Sequence, residues 1–271
     1  MAYPVVSAPY GFKPVNLIGG QVFSGSTRNL PIAYGYNTNI FYGDFVQLTS
    51  GYVNILANTI AGNAAVGVFL GCSFTNPVTK QKTFSQYWPA GTLAGDAQAI
   101  ICDDPDTVFK AAVVTAAGTA TIASASSLLV GANMAGNTST GSTATGDSAG
   151  GVVAASATAG NFRVLGLVPD TQIASSATYI SGTGTTTLTV SGLTVGAVIP
   201  VGTDIFQIVN GQLQFTGSTV STAVTVTSNT SQALTVVAST ATISASNPLV
   251  LVQTPEVLVK ITFGAHRYYV A

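Results

Sequence analysis

In "EVLVKITF", Val257, Val259, Ile261 and Phe263 alternate with Leu258, Lys260 and Thr262. In "GVFLGCSFT", Val68, Leu70, Cys72 and Phe74 fall on one face by the same rule. A period of two is the side-chain geometry of a strand, and it scatters apolar groups around a helix. Branched and aromatic residues at these places favour a pleated surface further. No stretch carries the apolar stripe of an amphipathic helix, and short helical turns around Ser126–Met134 are the most the pattern allows. The chain is therefore expected to be all-β.

Its texture changes along the way. From Ile173 to about Gln253 the only charged residue is Asp204, and Thr and Ser become dense between Val, Leu and Ile: "TTTLTV", "STAVTV", "QALTVVAS", "TATISAS". Short alternating runs with Gly or Asn between them predict a small Thr-rich, β-sandwich-like domain. Within it, "FQIVNGQLQF" predicts a hairpin, because Asn210-Gly211 suits a two-residue turn with positive φ at both positions. That register sets Phe206 opposite Phe215 and Ile208 opposite Leu213 on an apolar face, with Gln207, Gln212, Gln214 and Val209 on the other.

The flanking segments "RVLGLVPDTQ" and "TPEVLVKITF" read as consecutive strands of one sheet. Insertion is the economical explanation: a domain at 173–253 placed in a loop of a base domain at 31–172 plus 254–271, since exposed loop tips tolerate insertions. Two consecutive domains with a final strand crossing back is the other arrangement. Inside the base, "GNTSTGSTATGDSAGG", Gly136 to Gly151, is too poor in apolar groups to build a core and reads as a flexible loop.

The opening, "MAYPVVSAPYGFKPVNLIGGQ", spaces Pro4, Pro9 and Pro14 among apolar residues with Lys13 as its one charge. Proline has no N–H to donate and pushes its predecessor to extended geometry, so this is no helix and a poor central strand. It has neither the basic start nor the continuous apolar run of a signal peptide. Residues 1–30 are expected to form an extended arm. With Val5, Val6, Tyr10, Phe12, Val15, Leu17 and Ile18, that arm should pack on its own body or on a neighbour.

Charged residues make up only 6% of the 271 residues and the net charge is −1. Nucleic acid, which needs clustered Lys and Arg, is not an expected partner, and no apolar run approaches the length of a membrane span. Cys72 and Cys102 sit in strand-like apolar settings and read as buried free thiols. The single histidine, His266, has no nucleophile and carboxylate beside it in a catalytic pattern, and reads as a surface or interface residue. Asp103, Asp104 and Asp106 in "CDDPDTVFK" form either an ordinary turn or an oxygen cluster for a hard cation. Trp88 in "FSQYWPAG" suits core or interface packing better than a sugar platform. No Gly-rich phosphate loop leads into a helix. No catalytic residue, cofactor or metal is expected, and the profile is that of a structural or binding protein.

Several phrases carry a resemblance: "VVSAPYGFKPVNLIGGQVFSGSTRNLPIAYGYNTNIFYGDFV", "VGVFLGCSFTNPVTKQKTFSQYWPAG", "CDDPDTVFKA", "RVLGLVPDTQ" and "EVLVKITF". Together they resemble the capsid decoration (cement) proteins of tailed phages that infect cyanobacteria and other aquatic bacteria. The resemblance spans residues 1–172 and 254–271; the 173–253 insert departs from it. It implies a β-tulip, barrel-like base that trimerises on the outer surface of the virion, after synthesis in the host cytoplasm. The implied partner is the major capsid protein, and the implied role is to stabilise the shell against the pressure of its DNA. The arm would clamp capsid subunits through Pro4, Val5, Val6, Pro9, Tyr10, Phe12 and Pro14. The alternative is a trimeric head fibre, spike or adhesin whose inserted domain binds a host surface glycan.

Overall fold

The computed structural model describes residues 6–56, 65–116, 118–156, 160–183, 186–237, 239, 241–243, 247–262 and 266. Eleven strands precede the Thr-rich stretch: β1 (Phe12–Leu17), β2 (Arg28–Pro31), β3 (Phe45–Thr49), β4 (Tyr52–Ile55), β5 (Ala65–Thr75), β6 (Lys82–Ser85), β7 (Gln98–Cys102), β8 (Thr107–Val114), β9 (Asn133–Asn137), β10 (Gly151–Ser156) and β11 (Phe162–Leu167). Eight lie within it: β12 (Ile173–Thr183), β13 (Thr187–Ser191), β14 (Val198–Ile199), β15 (Asp204–Val209), β16 (Gln212–Thr219), β17 (Val224–Thr225), β18 (Gln232–Thr235) and β19 (Pro248–Gln253). β20 (Glu256–Ile261) follows. Helix among the described residues is limited to two 3-10 turns, Ser127–Leu129 and Pro169–Thr171. The fold is all-β, as the alternation requires.

The strands gather into two compact units. The base holds Ala8–Thr121, Gly131–Gly166 and Val257–Ala271; the module holds Met1–Ser7, Ile122–Val130 and Leu167–Glu256. β11 and β20 are neighbours in one sheet, and the chain between them makes its own sheet, which is the topology of an insertion. The module is larger than the 173–253 of the sequence reading: it runs from Leu167 to Glu256, and Ile122–Val130, assigned above to the base, clusters with it. Backbone pairing explains it. Ser124 donates its N–H to the Val201 carbonyl at 2.8 Å, and Ser127 donates its N–H to Asp204 Oδ2 at 2.8 Å. Gly202, with φ of +84°, takes a left-handed turn so close to Ser124 that any Cβ there would strike the Ser124 carbonyl.

The base contains a closed five-strand barrel. Its strands run β8, β10, β9, β11, β20 and back to β8, and β1 pairs antiparallel with β8. Closure pairs β20 back onto β8, and the rest of β8 is left to pair with β1. The loop expected at Gly136–Gly151 is in part a barrel wall: Gly136 and Asn137 belong to β9, and Gly151 and Val152 pair with them. The low apolar content is misleading because Gly136 is small for a reason. A Cβ there would lie 2.7 Å from the Phe162 ring, so the glycine lets the aromatic core close.

A second base sheet runs β2-β7-β5-β3-β4, with β6 paired to β5. Trp88, Phe74, Phe69, Ile40 and Ile101 are among the residues buried in its core. The two base sheets meet at an aromatic trio. Phe162 stacks on Phe12 at 4.3 Å between centroids and lies 4.6 Å from Phe45 of β3.

The module is a six-stranded sheet, β16-β15-β19-β12-β13-β18, with a small β14–β17 pair beside it. The β14–β17 pair shares the module's core, with Ile199 buried and Val224 packed against it. Val220 bridges Val236, and the Val237 N–H reaches the Thr219 carbonyl at 2.8 Å, so the chain after β16 joins the chain after β18 and the sheet rolls on itself. Leu188, Val190, Ile199, Ile205, Leu249 and Leu251 are buried inside. The β15–β16 hairpin has the expected pairs, Phe206 with Phe215 and Ile208 with Leu213. Asn210 and Gly211 take φ of 52° and 77°. Its inward side is the less apolar one, however: Gln207 is buried beside Leu249, and Leu213 is 55% exposed.

Candidate interaction surfaces and cleft

The arm residues divide sharply. Pro4 and Val5 lie outside the described residues. Val6 and Pro9 are buried, and Tyr10 is half-buried with Lys13 Nζ 4.7 Å and Lys110 Nζ 5.8 Å from its ring centre. Cations over the ring face are held by its quadrupole. Phe12 is 1% exposed and stacked in the barrel. Tyr10 and Phe12 were expected to fill pockets on a partner. Phe12 packs in its own core, so at this position the arm takes the first of the two placements the sequence allows, its own body. Pro14 sits at a register shift in β1, where the ladder needs no N–H from it. The same shift turns Val15 outward, and a tight turn closed by the Leu17 N–H to the Gln21 carbonyl at 2.7 Å carries Ile18 and Val22 into solvent. Val22 is 81% exposed. On β6 and the turn before it, Phe84 is 78% and Val78 is 86% exposed. Tyr34, Tyr52 and Leu93 add further exposed apolar area to the base.

Several charged and titratable groups are, by contrast, tied into structure. Arg28 Nε lies 3.0 Å from Asp103 Oδ2, and Lys260 Nζ lies 3.8 Å from Asp106 Oδ1. Asp104 Oδ1 accepts the Asp106 N–H at 2.9 Å, the local bond that makes an Asx turn. Asp103, Asp104 and Asp106 therefore form a cation-balanced turn between β7 and β8. No group of three or more metal-ligating side chains occurs among the described residues.

His266 is not at the surface: it is fully buried, and its backbone bridges Ala65. Its Nε2 lies 3.1 Å from the Asp103 carbonyl. A carbonyl only accepts, so Nε2 carries the proton. Burial lowers the pKa of this ring, keeping it neutral. Sequence reasoning missed this because a lone histidine among tyrosines gives no sign of which strand it will meet.

Trp88 is fully buried, with Nε1–H donated to the Tyr36 carbonyl at 3.1 Å and Phe74 edge-on at 5.4 Å, so it offers no face to a sugar. Cys72 and Cys102 are buried free thiols, and burial raises both, Cys72 to about 12. Asp44 is buried, with Oδ2 accepting the Phe41 N–H at 2.7 Å and its carboxyl also bonded to Ser148. Its Oδ1 has no partner. Burial pushes its pKa up to about 6.

The module carries a cleft of about 360 Å³, open at the surface, where the β12–β13 hairpin meets the chain after β18. Tyr179, Thr187, Ser218, Ser239 and Thr242 give it hydroxyls, and Leu188, Val236 and Ile243 give it an apolar floor. The sequence did not single these residues out. Five hydroxyl residues spread over four segments are lost in a tract where almost every second residue is Thr or Ser.

Comparison with protein-family models, with curated proteins and with solved structures returns no match.

Proposed function

We propose that this chain is a structural protein of a phage particle, a homotrimer that coats the outside of the assembled capsid and holds neighbouring capsid proteins together. One observation carries the reading. In a protein with so few charges, Arg28, Asp103, Asp106 and Lys260 are occupied in ion pairs, whereas Val22, Val78, Phe84 and Tyr34 stand in solvent. Exposed apolar groups on strands and tight turns are what an interface uses, and a charge-poor body favours a protein partner over nucleic acid. The phrases shared in texture with capsid decoration proteins point to the same partner. Binding only the assembled shell would stabilise it by mass action, and three copies of a weak contact would add by avidity.

No catalytic role is proposed, because Asp103, Asp106, His266 and Asp44 each have a structural task. The test is occupancy. Val22→Asp and Phe84→Asp change exposed side chains and should leave folding intact. Particles assembled with either variant should carry at least tenfold less of it by mass spectrometry, and unchanged occupancy for both would remove these surfaces from the mechanism.

The module's hydroxyl-lined cleft favours a second reading, a sparse head fibre or adhesin that binds a host surface glycan. Copy number separates the two, because a coat protein is abundant and a fibre is not.

A further inference from the structure

Asp204 is the one charged residue between Ile173 and Gln253, and it is buried and committed to the Ser127 N–H. No ionisable group other than the Tyr179 phenol lines the module cleft, so nothing in it would select an anion or a cation. What the cleft does present is hydroxyls in two states. Ser218 donates to the Val237 carbonyl at 2.5 Å, and Ser239, which donates to the Thr216 or Ala241 carbonyl, also accepts the Ala241 N–H at 3.2 Å, so both protons are spent inside the chain and each oxygen keeps a lone pair to accept with. The hydroxyls of Tyr179, Thr187 and Thr242 make no hydrogen bond among the described residues and are free to donate. Fixed acceptors beside free donors complement a ligand whose own groups both give and take, which is the chemistry of a polyol.

The rest of the lining is apolar: Leu188, Val236, Ile243 and the half-buried Tyr179 ring. Gly182 keeps this wall open, since a Cβ there would lie 3.3 Å from the Tyr179 hydroxyl. At about 360 Å³ the cleft is at the small end of ligand sites, which run from about 300 to 1,000 Å³. It suits one ring rather than a chain of them.

We propose that this cleft binds a single neutral sugar ring, its C–H face against Tyr179 and the apolar floor, its hydroxyls bonded to Thr187, Thr242 and the oriented serines. This deepens the glycan-binding reading, and its test is independent of particle copy number: sugar binding by an abundant protein would leave the coat reading intact.

Saturation-transfer NMR on the purified full chain tests it, with the methyl glycosides of glucose, galactose, mannose and N-acetylglucosamine as probes and glucuronic and N-acetylneuraminic acids alongside. The expected result is transfer to the ring protons of at least one neutral glycoside, with affinity about tenfold weaker in Thr242→Val, the loss expected for one hydrogen bond, and no transfer in Gly182→Val. Thr242 is exposed, so its variant keeps the comparison valid if Gly182→Val fails to fold. Silence from every neutral probe overturns the proposal. So does stronger transfer to the acidic sugars, or transfer that survives unchanged in a folded variant of either position.

Discussion

Asp44 is the residue at which the fold gives most away. Its carboxyl is buried with one oxygen bonded and the other unpartnered, so the charged form is disfavoured and the pKa stands near 6, above the ordinary 3.8. A carboxyl raised in the folded state contributes stability that is complete below pH ~4 and lost as pH climbs through about 6. The loss is on the order of 2–3 kcal/mol by pH 7. Asp44→Asn keeps an oxygen for the Phe41 N–H and removes the charge. It should flatten the rise in denaturation midpoint expected of the wild type between pH 7 and pH 5, and raise stability at pH 7 by about 1–2 kcal/mol after allowance for the imperfect amide fit. A variant less stable than wild type at pH 7 and equally pH-dependent would mean that Asp44 is held as an anion. Phe12 makes the complementary case, an aromatic ring stacked in the barrel. Phe12→Ala should cost about 3–5 kcal/mol in urea unfolding, the usual penalty for emptying an aromatic site. A cost below about 1 kcal/mol would return Phe12 to the surface.

At the scale of elements, what the sequence made legible was whatever local rules decide. The β15–β16 register next to the turn, from Val209–Gln212 to Phe206–Phe215, followed from Asn210-Gly211, since a two-residue turn with positive φ fixes the pairs behind it up to the register shift at Ile205. Gly211→Val, which forces a branched side chain into φ of 77°, should destabilise the module by about 1–2 kcal/mol and broaden the amide NMR signals of β15 and β16 first. Equal loss in every strand of the module would mean the hairpin does not open by itself. The β11–β20 pairing was legible too, because both segments keep the base's charges and aromatics.

Elements made by long-range closeness were not legible. β1 reads as an arm because three prolines break its pattern, yet β8 supplies an edge that tolerates Pro14 at a register shift. Gly136 reads as loop because it lacks a side chain, which is the property that Phe162 needs of it. Gln207 faces inward since Ile205 does, and strand alternation overrules polarity once a register is fixed. The arm proper is thus shorter than residues 1–30. Deleting residues 2–20 would remove β1 and Phe12 with it, so the deletion unfolds the barrel and cannot report on capsid contact. Val15, Ile18 and Val22 are the positions to change instead.

For the whole molecule, the scarcity of charge is the property that decides how it would hold a partner. Eight basic and nine acidic residues are spread over 271, and several are paired within the chain. Attachment to a shell would then rest on apolar area and backbone hydrogen bonds, which salt does not screen. Retention on particles, followed by sedimentation, should change less than threefold between about 50 mM and 1 M NaCl, whereas an electrostatic attachment would be stripped as the screening length falls from over 10 Å to about 3 Å. The measurement that bears most directly on the coat reading is the copy number of this protein relative to the major shell protein in purified particles, by quantitative mass spectrometry. A coat predicts abundance comparable to that of the shell protein. A few copies per particle, or none, would contradict it.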